Sequence, residues 1–179
     1  MYVHLWIAAS AALAPVVTEG PRPALPPADG HAPVTLPAPA TMRRQILARD
    51  QALFDLQFGF SCDVKAMRDF VTDDMEFYHD REGFAVKGGD QWASDFGRFC
   101  KDRVRDNYHQ RRRLVASSVV FSPLPNFGAV ETGQQQFYWR KPNGHWKLNG
   151  RSRFAIVWRL GVDGVWRIAR DFSYDHREL

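Results

Sequence analysis

The stretch CDVKAMRDFVTDDMEFYHDREG, residues 62–83, contains two kinds of periodicity in succession. Val64, Met67 and Phe70 recur every third residue behind Asp63, a residue suited to capping a helix, so the first part reads as a short helix. The Thr72-Asp73-Asp74 step reads as a turn. MEFYHD then alternates, with Met75, Phe77 and His79 on one face and Glu76, Tyr78 and Asp80 on the other, which is the pattern of a strand. A helix that runs into a strand ending in His-Asp constrains what its neighbours can be.

Upstream, from Thr41 as a candidate N-cap, Leu47, Phe54 and Phe58 return at helical spacing until Gly59 offers a stop. Downstream, Gly88-Gly89 interrupts the chain and Asp90 is placed to cap a third helix, along which Trp92, Phe96, Phe99 and Val104 form an apolar stripe. The period then changes to two. RRLVASSVVF, AVETGQQQFYW, SRFAIVWRL and VWRIARDFSYDH read as strands, and Gly161-Val162-Asp163-Gly164 joins the last two as a hairpin. Helices first and a meander of strands afterwards predict an α+β domain, with three N-terminal helices packed on a curved antiparallel sheet.

Ahead of this domain the composition differs. MYVHLWIAASAALAPVV is an apolar run rich in small residues and short for a membrane span, so residues 1–18 read as a signal peptide. Residues 19–41 are rich in Pro and Ala and read as a disordered linker, leaving 42–179 as the folded domain. These features place the protein in the periplasm or outside the cell, with no stable membrane span after signal cleavage. The 179 residues carry a net charge of +4, spread apart from the run Arg111–Arg113, which reads as a solvated strand face. Nucleic acid is therefore not an expected partner. Gly-rich phosphate loops, G-x-S-x-G elbows and CxxC pairs are absent from the sequence, and no cofactor is expected.

The order of elements, together with CDVKAMRDFVTDDMEFYHDREG, the lone Cys100, FGAVETGQQQF and the closing SYDH, resembles the NTF2-like cone fold, which includes ketosteroid isomerase, scytalone dehydratase and the SnoaL-like proteins. Within it the sequence is similar to the DUF4440-type branch, over about Arg44 to His176. The resemblance implies a cavity between the concave sheet face and the helices, a small-molecule ligand, and a homodimer formed through the outer sheet face.

Alternation suggests which residues line such a cavity. His79 continues the Met75-Phe77 row, and His176 continues the row Trp166, Ile168, Arg170, Phe172, Tyr174. In the strand AVETGQQQFYW the inward row is Ala129, Glu131, Gly133, Gln135 and Phe137. The expected catalytic residues are His79, Glu131 and His176, because a His titrates near neutral pH and a carboxylate beside it raises its basicity for proton abstraction or dehydration. Phe77, Gln135, Phe137, Tyr174 and Asp175 are the expected ligand-binding residues. The competing reading is a non-catalytic binding or interaction domain in which the His and Asp groups form a structural latch. His79, His176 and a carboxylate could also hold a metal, but the resemblance implies His where this chain has Gln135, a poor ligand, so no metal is expected. A pair of cysteines in an exported domain is expected to be oxidised, giving a Cys62–Cys100 disulfide.

Overall fold

In a computed structural model the described residues are 32–179, so the expected signal peptide and all but the last part of the expected linker lie outside them. The compact unit spans Ala32–Leu179. Val34 and Leu36, ahead of the first helix, pack against its core. No helix among the described residues is long and apolar enough to cross a membrane.

The first helix, α1, runs from Pro39 to Phe58. Its N-cap is Ala38 rather than Thr41, and Pro39 occupies the first turn, where a missing N–H costs nothing. The buried stripe is Met42, Ile46, Asp50 and Leu53, one step around the helix from the expected Leu47-Phe54-Phe58 row. Periodicity finds a helix more reliably than it finds the buried face, because Asp50 belongs to that face and does not look apolar. Arg103 closes the end of α1 by donating to the carbonyls of Phe58 (2.6 Å), Gln57 (3.1 Å) and Gly59, a cation on the negative end of a helix.

Helix α2, Val64–Arg68, is capped by the Asp63 carboxylate, which accepts from the Ala66 N–H at 2.9 Å. Strand β1 then covers Val71–His79, so Thr72-Asp73-Asp74 is strand and not turn. A short strand absent from the sequence reading, β2 (Gly83–Lys87), returns antiparallel to it. Helix α3 is Gly89–Arg105, with Gly88 as its N-cap and Asp90 in the first turn, paired with Arg68 at 2.6 Å. Phe96 is buried, whereas Phe99 and Val104 are exposed. Cys100 on α3 is joined to Cys62 by a disulfide, as expected. Closing a loop of 38 residues stabilises the fold by about 4 kcal/mol in the chain-entropy view.

The run RRLVASSVVF does not form one strand. A helical turn at Ala116–Ser118 divides it into β3 (His109–Leu114) and β4 (Val120–Leu124), both paired with β5 (Gly128–Arg140). β5, β6 (Lys147–Leu160) and β7 (Trp166–Glu178) form the expected long antiparallel meander. The sheet has seven strands in the order β2-β1-β7-β6-β5-β3, with β4 also on β5. One joint departs from the expected antiparallel sheet: β1 lies parallel to β7, so the sheet is mixed. That joint sets His79 opposite Ser173 and brings the two His-bearing stretches together.

β7 carries two irregularities that decide which of its side chains point inward. Ile168 pairs with Trp158 and Arg170 with the adjacent Val157, so Ala169 is an extra residue, and Ile168 and Ala169 are both buried. The inward row becomes Asp171 and Ser173 instead of Phe172 and Tyr174. Further on, Tyr174 pairs with Arg153 and Arg177 with Arg151, while Asp175 adopts a left-handed backbone with φ 56°. This second extra residue turns His176 back toward the inner face.

Between α1 and the sheet, the carboxylate of Asp50 meets Arg112 Nη1 at 2.5 Å. The Arg112 side chain is only 2% exposed, which corrects the reading of Arg111–Arg113 as a uniformly solvated run. Its guanidinium lies over Phe54 (3.8 Å to the ring centre) and Phe154 (4.9 Å). Removing one partner of such a pair strands a buried charge. Arg112→Met should therefore lose roughly 3 to 5 kcal/mol in urea unfolding, and Asp50→Leu combined with Arg112→Met should recover most of the loss. Equal losses in the single and double variants would contradict this account.

Candidate functional site

A cavity of about 450 Å³ opens between the helices and the inner sheet face. Its walls are largely aromatic, with Phe54 from α1, Phe77 from β1, Trp92 and Phe96 from α3, Phe137 from β5 and Phe154 from β6. Gly133 on β5 leaves space for one of these walls, because a Cβ there would stand 3.0 Å from the Phe154 ring. Polar groups enter at Gln57, His79, Gln135, Asp171, Ser173 and His176.

Three of these groups, Gln135, Ser173 and His176, belong to a continuous hydrogen-bonded series. Arg112 Nε donates to Gln135 Oε1 at 2.5 Å, and the Gln135 amide donates to Ser152 Oγ at 2.8 Å and to Ser173 Oγ at 3.4 Å. Ser173 Oγ lies 3.1 Å from His176 Nε2, and His176 Nδ1 lies 2.6 Å from Asp80 Oδ1. Asp80 also accepts the backbone N–H of His176 at 3.0 Å, and that bond holds its carboxyl below the usual range, with the His176 ring adding to the effect. The imidazole of His79 stacks on that of His176, with centres 4.2 Å apart, and its Nδ1 accepts the Arg81 N–H at 3.3 Å. Burial, and then the neighbouring His176, lower the His79 pKa. MEFYHD and DFSYDH thus meet in one place.

Two carboxyl groups behave differently. Asp171, 8% exposed, lines the cavity and accepts no hydrogen bond among the described residues. Burial raises its pKa to about 7, with Arg112 pulling down and Asp50 pushing up. Glu131, completely buried, lies on the inner face as expected but does not line the cavity. Trp158 Nε1 donates to it at 2.8 Å, while burial, followed by the charge of Asp50, raises its pKa to about 8.

Of the expected ligand-binding residues, Phe77, Gln135 and Phe137 line the cavity. Tyr174 does not: it is 39% exposed on the opposite face, moved there by the extra residue at Ala169. Asp175 also faces away from the cavity, pairing with Arg153 at 3.7 Å and Arg177 at 3.2 Å. Asp171, Ser173 and Trp92 were not among the expected site residues. The adjacent apolar pair Ile168-Ala169, which breaks the alternation of β7, was the available signal for a bulge there.

The architecture can be matched to known proteins once the parallel β1–β7 joint and the aromatic cavity beneath the helices are in view. The fold is NTF2-like. ActVI-ORFA from Streptomyces coelicolor superposes with a TM-score of 0.65 at 13% identity, over 79% of this chain and 98% of that one. An NTF2-like superfamily protein from Salmonella enterica serovar Typhimurium gives 0.57 at 19% identity, over 76% and 92%. A protein from Catenulispora acidiphila, solved in complex with S-DNPA, gives 0.59 at 13% identity, over 75% and 94%. At such identities the likeness is one of fold. No protein-family profile matches the chain, and no curated protein matches it.

The buried carboxyl groups make the stability of the domain depend on pH. A carboxyl whose folded pKa is raised binds its proton more tightly in the folded state, so its stabilising contribution is full below the unfolded value and is lost as pH rises through the folded one. For Glu131 that window ends near pH 8. Between pH 5 and 8, wild-type stability should fall relative to Glu131→Gln by up to about 1 kcal/mol per pH unit. Thermal unfolding across that range checks this, and parallel curves for the two proteins would refute the assignment.

Proposed function

We propose that the protein binds a small planar organic molecule in the cavity and removes a proton next to a carbonyl group, with Asp171 as the base. The observation that carries this reading is a buried carboxylate, lining an aromatic cavity, that no protein group hydrogen-bonds among the described residues. A base poised near neutrality is efficient because it is ionised at working pH yet still basic. Trp92, also on the cavity wall, has a buried Nε1–H without a partner among the described residues, and it would receive the carbonyl oxygen as negative charge develops there. Return of the proton at another carbon completes an isomerisation. Expulsion of a β-hydroxyl group completes a dehydration.

His79 and His176 take supporting roles in this reading, orienting the ligand at the other end of the polar row. Glu131, away from the cavity, has a structural role. The groups whose charge acts on Asp171 are Arg112 and Asp50, with His176 and Glu82 from β7 and the β1–β2 turn and Asp95 from α3 also on the cavity lining. The second reading, a non-catalytic ligand-binding or interaction domain, is favoured by the two bonds that Asp80 accepts from His176, which latch the end of β1 onto β7. Export through an N-terminal signal, membership of the DUF4440-type branch and a homodimer complete the proposal. The disulfide fits an oxidising compartment, and an outward stack of Phe84, Tyr78 and Phe172, with centres 5.0 and 4.9 Å apart, supplies an apolar patch for a second copy.

Exchange of the α-protons of 2-tetralone in deuterated water, followed by NMR, separates the two readings. The wild type should accelerate exchange, the rate should rise with pH through about 7 as Asp171 loses its proton, and Asp171→Asn should be slower by roughly 10² to 10³. Binding of 2-tetralone without faster exchange would leave the binding domain as the better reading.

A further inference from the structure

We propose that His79, Asp80 and His176 form a site for one first-row divalent transition metal ion of the zinc or cobalt class. The expectation of no metal rested on Gln135 standing where a His would be needed. The structure removes that ground, because the Gln135 amide is committed to Arg112, Ser152 and Ser173, and Asp80 supplies the third donor instead.

The donor atoms already lie close together. His176 Nδ1 is 2.6 Å and His79 Nδ1 is 3.7 Å from Asp80 Oδ1, and the three ligand atoms all fall within 4.8 Å of one another. Ligands held at about 2.0 to 2.2 Å from one ion stand roughly 3 to 3.5 Å apart, so the His176–Asp80 pair must open by roughly half an ångström, and any donors as far apart as 4.8 Å must draw together by about one, to form a coordination shell. Two imidazoles and one carboxylate suit zinc, cobalt or nickel and do not suit calcium or magnesium, which take oxygen donors.

The surrounding bonds resemble those that orient metal ligands. The second ring nitrogen of His176 is held by Ser173 Oγ at 3.1 Å, and the second oxygen of Asp80 by the His176 backbone N–H at 3.0 Å. Asp175, a non-glycine residue at φ 56°, keeps His176 on the inner face beside His79. Metal entry would displace the long Arg81 N–H bond from His79 Nδ1 and release the proton that His176 shares with Asp80. His79 and His176 line the cavity and Asp80 does not, so the ion would lie between the cavity wall and Asp80.

This inference goes beyond proton abstraction by Asp171 and can fail separately from it. The full chain, purified without an affinity tag, is equilibrated with Zn²⁺ or Co²⁺, desalted and analysed by mass spectrometry for metal, with affinity from calorimetry. One ion per chain is expected, with affinity at least about tenfold weaker in His79→Gln and in His176→Gln, and unchanged in Asp171→Asn. The double variant His109→Gln, His145→Gln controls for surface histidines and should retain the ion. Nitrogen NMR of the wild type, which needs no variant, should show the ring signals of His79 and His176 shifting on addition of Zn²⁺. Wild type with far less than one ion, an ion lost with His109 and His145, or ring signals of His79 and His176 that do not move would each overturn the site.

Discussion

A charge buried beneath the helices organises this domain. Arg112 enters the core from β3, where its Nη1 and Nε donate to Asp50 from α1 and Gln135 from β5 and its Nη2 has no partner among the described residues. Desolvating two ions offsets much of their attraction, so the pair is a weak source of net stability and a strong specifier of arrangement. Any packing that separated α1 from this part of the sheet would leave an uncompensated charge. The consequence extends further, because Gln135 fixed by Arg112 presents its amide to Ser152 and Ser173, and Ser173 in turn meets His176. A polar row therefore crosses the inner face, apart from the buried Glu131 and Asp171, and reaches the cavity.

The second constraint is the pairing of β7. A strand with strict alternation would have placed Phe172 and Tyr174 inside and Asp171 and Ser173 in solvent. The extra residue at Ala169 exchanges the two rows, and the one at Asp175 exchanges them again, just before His176. Two bulges in one strand thus gather Asp171, Ser173 and His176 on the same side. They also leave Phe172 outside to stack on Tyr78, which gives the outer face its aromatic patch.

This explains what could be read from the sequence and what could not. Helical periods over α1 and α3, the β6–β7 hairpin and the long strands were legible, because each depends on neighbours a few residues apart. The inward row of β5, from Ala129 to Phe137, was legible too, since no bulge interrupts it before Phe137. That His79 and His176 both face inward was expected from alternation, which reaches His176 only because the second extra residue of β7 cancels the first, and their ring centres stand 4.2 Å apart. The parallel β1–β7 joint, the burial of Arg112 and the inward turn of Asp171 were not legible. Each is decided by a partner distant in sequence: Ile168 for the joint, Asp50 for Arg112, and the unequal count against Val157 and Trp158 for Asp171.

Asp80 and Asp171 show how two carboxyl groups of one sheet can behave in opposite ways. Asp80, which does not line the cavity, receives a backbone N–H and an imidazole, and both favour its anion. Asp171 lines the cavity, and burial acts on it with no hydrogen bond among the described residues to offset it, so its pKa is raised to about 7. A site that divides its carboxyl groups in this way has one fixed anion to orient an imidazole or an ion and one group free to exchange a proton. The division arises because Asp80 has two donors from His176, whereas Asp171 has burial with no hydrogen bond among the described residues to offset it.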